Sequence, residues 1–198
     1  MKATRHRLAL GIDPGASTGL ALVRDVPGGL PELLGAWCAW GADREWLRRL
    51  NESLGVVGVL AFDRGVALAD VVVWVEEPPS HWRSGGPRNT QAAARGIGRR
   101  MGQVEMAWAQ RTEGTWPRRV QGPEWWEPWR GQVAHGKIGD GGHRIAEAGR
   151  WVEGARAVLA AMEQETTAAR ERRVDVAEAI LIAGAAAMAG PERARRAG

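Results

Sequence analysis

The sequence predicts an α/β domain with a mixed central β-sheet flanked by α-helices. Three observations carry that expectation. Apolar runs at 7–12, 18–24 and 33–40 follow one another, and Pro14-Gly15 and Pro27-Gly28-Gly29 punctuate the gaps, as in strands joined by turns. A further run at 70–76 is apolar at nearly every position, the pattern of a strand covered on both faces. Several other segments repeat their apolar residues at the spacing of three and four that marks a helix.

Taken in order, the three N-terminal strands lead to Asp43, a suitable N-cap for a helix whose Trp46, Leu47, Leu50 and Leu54 share one face. Gly55 is a place for that helix to end or bend, or VVGVLAF continues it. After the strand at 70–76, Asn89 or Thr90 caps a helix to about Ala109, with Ile97, Met101, Val104 and Trp108 at core spacing. Ala94, Gly98 and Gly102 recur every four residues on another face, which allows close approach either of its own sheet or of a second copy. RRVQ reads as a short edge strand, and 122–142, rich in Gly, Pro and Trp, reads as a loop. Helices are expected from about His143 to Gln164 and from about Ala168 to Ala189, where Gly190 and Pro191 stop the second.

Composition bounds the function classes. At 198 residues, 44% apolar and 25% charged, the chain suits one soluble domain, here 1–190, with PERARRAG at 191–198 as a flexible tail. The apolar runs are too short or too rich in Ala and Gly for a membrane span, and Met1 to Arg7 leads straight into a strand rather than into a signal peptide. Cys38 is the single cysteine, so a reducing cytoplasm is expected. The 11 Trp against one Phe and no Tyr, like the preference for Arg over Lys, follow GC-rich codon usage, so abundant Arg is not by itself evidence of a nucleic-acid ligand. The position of the charge says more. Arg83, Arg88, Arg95, Arg99, Arg100, Arg111, Arg118, Arg119 and Arg130 are opposed in their stretch only by Glu105, Glu113, Glu124 and Glu127. Such a segment suits a phosphate backbone, with solvated helix faces as the competing explanation.

Four acids stand out. Asp13 ends the strand in LALGIDPGASTGLALV, Glu76 ends VVVWVEEP, and Asp175 and Glu178 lie at i and i+3 in VDVAEAILIA, on one face of a helix. Glu77 competes with Glu76, and strand alternation sends the two to opposite faces. An Asp before Pro-Gly is also a common turn former, and an acidic pair on a helix is also a common surface feature. Several carboxylates converging on one point would hold hard divalent cations, which prefer oxygen ligands.

The blocks GIDPGASTG, VEEP and DVAEAILIA, in that order and spanning 8 to 183, resemble the signatures of the RuvC family of Holliday junction resolvases, which are RNase H-like nucleases. One departure is Glu178, where that family has Asp. The resemblance implies an RNase H-like fold, Asp13, Glu76, Asp175 and Glu178 as metal ligands and catalytic acids, and two Mg²⁺ per site, with Mn²⁺ able to substitute. It implies a homodimer that nicks two strands of a four-way DNA junction symmetrically, in recombination and repair. Arg83, Arg88, Lys137, His143 and Arg144 are then candidate DNA contacts, and Trp82 in PPSHWRSGG, at a spacing unlike the family's, is the nearest aromatic for a wedge at the junction centre. Trp116, Trp125, Trp126 and Trp129 offer other stacking surfaces, or are core. Related possibilities are other branched DNA or RNA as substrate, and a catalytically silent DNA-binding protein. An ATP-binding module of the actin or Hsp70 kind would share the first loop, but it needs a duplicated domain for which 198 residues leave no room.

Overall fold

The computed structural model describes residues 7–77, 88–126, 129, 141–162 and 165–189. Strands β1 (Leu8–Pro14), β2 (Thr18–Arg24) and β3 (Glu32–Ala39) form an antiparallel meander. Helix α1 (Asp43–Phe62) crosses to a 3-10 turn at Leu68–Asp70 and to β4 (Val72–Glu76), which runs parallel to β1. Then follow α2 (Arg88–Arg111), β5 (Arg118–Val120) parallel to β4, a short α3 (Gly122–Trp126), α4 (Gly141–Trp151), α5 (Ala155–Ala161) and α6 (Thr167–Met188). The sheet order is β3-β2-β1-β4-β5, mixed as expected. Among the described residues no helix is long and apolar enough to cross a membrane.

Strand alternation builds a core on each face of the sheet. Leu8, Leu10, Ile12, Leu20, Leu22, Val73 and Val75 pack with Trp46, Leu50 and Leu54 of α1 and Met101, Val104 and Trp108 of α2. Ala9, Ala21, Val23, Trp74 and Val120 face the other way, onto α6 with Val152 and Leu159 behind it. From Val176 to Ala187 α6 is buried all round, so it is a central helix and not an amphipathic one.

The structure departs from the sequence expectations where the chain makes a bond that periodicity does not encode. Ala42, not Asp43, is the N-cap of α1, and it makes no side-chain cap. The Asp43 carboxylate instead pairs with Arg99 at 3.0 Å and Arg100 at 3.6 Å on α2. Helix α1 passes straight through Gly55 to Phe62, and α2 begins at Arg88, ahead of the expected caps. Part of the expected loop at 122–142 is helical: Gly122–Trp126 forms α3, and Gly141-Gly142 open α4. The single helix expected over 143–164 is broken between α4 and α5. There Glu153 bonds the sheet edge, Leu33 N–H to Glu153 O and Glu153 N–H to Pro31 O, both at 2.9 Å, and Gly154 takes φ +83 to turn the chain. The small-residue face of α2 does not pack on its own sheet: a Cβ at Gly98 or Gly102 would meet nothing within 4 Å.

Candidate metal centre

The site lies at the end of the sheet where β1 and β4 finish. On β1, Asp13 shares the α6 face with Ala9 and Gly11 by alternation, and it sits opposite Gly19 on β2. On β4 the same alternation turns Glu76 to the α6 side with Trp74 and Glu77 to the α2 side. Glu77 accordingly lies 3.9 Å from Arg119, whose guanidinium also grips buried Glu105 of α2 in a two-pronged pair at 2.6 and 2.8 Å. Strand geometry thus separates the two neighbouring acids.

The remaining acids arrive on α6, and two glycines set how close that helix comes. A Cβ at Gly11 would stand 2.2 Å from the Ala179 carbonyl oxygen and 2.4 Å from Ala183 N, and one at Gly19 would stand 2.1 Å from the Asp175 carbonyl oxygen. No other residue type fits under a helix backbone at that distance. With α6 so seated, carboxylate oxygens of Asp13, Glu76 and Glu178 all lie within 4.8 Å of one another. Asp175 stands beside this trio. It accepts a hydrogen bond from Ser17 Oγ in the β1–β2 turn and adds its charge to that felt by Asp13. The turn itself is anchored below by fully buried Thr18, whose Oγ1 accepts from Trp46 Nε1 at 3.1 Å.

The electrostatics are those of crowded, poorly hydrated carboxylates. Asp13 is pushed well above the usual range, first by burial and then by Glu76 and Asp175. Burial also raises Glu76, against a hydrogen bond from Trp125 Nε1 at 3.1 Å that favours its charged form. Asp175 is pushed up to about 6, again mainly by burial, with Ser17 opposing. Arg144, in the first turn of α4, is ion-paired with Glu178, and its positive charge also lowers Asp13, Glu76 and Asp175. Carboxylates gathered together and held up mainly by burial are ones that a cation would stabilise.

The structure places the four acids, His143 and Arg144. Asp13, Glu76 and Glu178 come together, and Asp175 flanks them. Arg144 points into the acids, and half-buried His143 precedes it on α4. Trp82, Arg83 and Lys137 lie outside the described residues, as does the side chain of Arg88, the first residue of α2. Of the tryptophans, Trp125 and Trp129 are buried and so are not free stacking surfaces, whereas Trp116 is 58% exposed. Sequence reasoning missed Trp125 as the partner of Glu76, Ser17 as the partner of Asp175, and Gly11 and Gly19 as the seat of α6. Only the glycines left a signal, as the small residues beside Asp13 in GIDPGASTG.

No protein-family model matches the chain, and no curated protein is similar to it in sequence. Solved structures are similar in shape. RuvC of T. thermophilus in complex with a Holliday junction substrate superposes with a TM-score of 0.54 at 20% identity, covering 91% of this chain and 92% of that one. A second structure of Thermus thermophilus RuvC has a TM-score of 0.48 at 19% identity over 90% and 92% of the two chains. The yeast mitochondrial Holliday junction resolvase Ydc2 also has a TM-score of 0.48, at 12% identity over 90% of this chain and 78% of that one. With its mixed five-stranded sheet and helices on both faces, the chain has the RNase H-like fold in the form seen in RuvC.

Proposed function

We propose that this protein is a metal-dependent endonuclease that cuts branched DNA, with the four-way junction as substrate and a homodimer as the working form. One observation carries the reading: carboxylates from two strand ends and a buried helix converge within 4.8 Å at one end of an RNase H-like sheet. Surface acids gather by chance, but here β1 lies beside β4, and two glycines with no room for a side chain seat α6 so that Glu178 meets the strand-end acids.

The donor set fits a hard divalent cation, because it is all carboxylate and its partly buried members are held near one another. Asp13, Glu76 and Glu178, with Asp175 beside them, would hold Mg²⁺, or Mn²⁺ in its place. Bound metal of this kind supplies a water acidic enough to attack at neutral pH and stabilises charge on the leaving oxygen. The chain's own residues do the rest. Trp125 fixes the rotamer of Glu76 through its indole N–H, and Ser17 orients Asp175. Arg144 balances the acids and lies where a scissile phosphate would meet a guanidinium fork.

The junction as substrate is supported by RuvC of T. thermophilus, whose structure holds a Holliday junction. The homodimer is supported by the open face of α2, where Gly98 and Gly102 have free space and Met106 is 51% exposed one turn further on. Incubation with Mg²⁺ and a four-way junction, a fork, plain duplex and an RNA–DNA hybrid tests the reading. Symmetric paired nicks in the junction are expected. Preferential cutting of the fork or the hybrid would move the substrate within the nuclease class, and no cutting of any of the four with either Mg²⁺ or Mn²⁺ would end the nuclease reading.

A further inference from the structure

Past β3, on the same end of the sheet as the acids, the chain presents an aromatic residue covered by two cations. Ala39 pairs with Thr18 and Pro14 with Thr18, so Trp40 follows directly at the end where β1 delivers Asp13. The guanidinium carbon of Arg49, from α1, lies 3.8 Å from the centroid of the Trp40 ring, and that of Arg172, from α6, lies 4.7 Å from it. Trp40 is 37% exposed. Three separate elements therefore place side chains at one partly exposed spot, next to the site but outside it.

A guanidinium stacked on an indole uses its flat face, and its N–H donors stay in the plane and point away from the ring. Arg49 gives one of these donors to Glu45 at 2.9 Å, and Glu45 is shared with Arg48. Among the described residues no ion pair engages Arg172, which sits one turn before Asp175 on the helix that carries the acids. A fork of charged donors held in place and not neutralised is a phosphate site in waiting. Its distance also suits. Two strand spacings separate β3 from β1, or about 10 Å, and phosphates of one strand recur about every 3.4 Å along a duplex. A backbone whose scissile phosphate sits at Asp13 would pass Trp40 within a few nucleotides.

We infer that Trp40, Arg49 and Arg172 form a clamp for the phosphate backbone of the nucleic-acid strand leaving the acid cluster on the β3 side, with Arg172 as its principal donor. The clamp rests on the nuclease reading, and the test separates the two. Binding of a fluorescent four-way junction is measured in chelator over a range of KCl concentrations for the wild type, Arg172→Gln, Arg172→Lys and Trp40→Leu, with melting temperatures on the same preparations. Arg172→Gln should weaken binding several-fold and lower the slope of log affinity against log salt by about one, the signature of one lost phosphate contact. Arg172→Lys should keep most of the slope, since the charge remains. Trp40→Leu should weaken binding by releasing both cations. An unchanged slope in Arg172→Gln beside a wild type that binds and cuts junctions overturns the clamp alone, as does a drop in melting temperature with no change in slope. A wild type that neither binds nor cuts DNA overturns the nuclease reading and the clamp with it.

Discussion

Asp13 concentrates the chemistry of the site at one residue. Its carboxyl is raised by burial and by two neighbouring acids, so its charge is costly unless a cation balances it. Asp13→Asn keeps the shape and removes the charge. Cleavage should then fall by more than the ~10–100-fold typical of losing an outer partner of a metal site. Junction affinity in chelator should hold or rise, and the melting temperature of the metal-free protein should not drop. A variant that cuts at near the wild-type rate would remove Asp13 from the ligand set. Burial of these acids also sets a pH dependence. Asp175, held at about 6 in the fold against about 3.9 in an unfolded chain, stabilises the fold fully below the lower value and loses that contribution as pH rises through about 6. Raised Asp13 and Glu76 act with the same sign. Metal-free protein should therefore melt at a higher temperature near pH 5 than near pH 7, and Asp175→Asn should flatten the difference. A wild-type melting temperature that climbs over that range in chelator would contradict it. At this scale the acids were legible because strand ends and the i, i+3 spacing are local. Trp125 was not, because its bond to Glu76 joins residues far apart in sequence through a stretch without periodicity.

Helix α6 carries two of the acids, and its height above the sheet is set by what is missing beneath it. A Cβ at Gly11 or Gly19 would press into α6 backbone at 2.2 or 2.1 Å, and backbone cannot swing aside as a side-chain tip can. Gly11→Ala and Gly19→Ala should each destabilise by about 1–3 kcal/mol or more, the usual range for overpacking, read as a lower urea midpoint. Each should also weaken Mg²⁺ binding by calorimetry, because a lifted helix takes Asp175 and Glu178 with it. Gly55→Ala is the control. Gly55 lies inside α1, exposed, with nothing within 4 Å of a new Cβ, so the substitution should stabilise by up to about 1 kcal/mol. A Gly19→Ala protein as stable as the wild type would mean that α6 is not seated as described. Elements were legible in the sequence where one face repeats, as in α1 and α2, and less so where tertiary bonds intervene. The bond pair from Glu153 to the β3 edge splits α4 from α5, and nothing in the apolar stripe of 143–164 announces it.

Strand order belongs to the whole molecule, and periodicity does not contain it. The apolar runs predict strands, but that β4 crosses to lie beside β1, bringing Glu76 to Asp13, was supplied by the resemblance of three short motifs. Assembly is the other property at this scale. Coordinated cutting of two strands needs two sites held in fixed relation, and a symmetric dimer presents the same patch from both copies. The α2 face with Gly98, Gly102 and Met106 is open, nearly flat at the glycines, and allows two helices to approach closely. Gly102→Arg would place a charged side chain in that contact. Because a Cβ at Gly102 meets nothing in its own chain, the variant should keep the wild-type melting behaviour of the fold. In light scattering after size exclusion it should shift from dimer to monomer. On a four-way junction with the two cut strands labelled differently, it should accumulate singly nicked junction where the wild type yields paired nicks. The acid cluster is untouched by the change, so the proposed Mg²⁺ binding should persist. A wild type that is monomeric at all concentrations, or a Gly102→Arg protein that remains dimeric and still makes paired nicks, would take α2 out of the interface and leave the acid cluster and its chemistry as they stand.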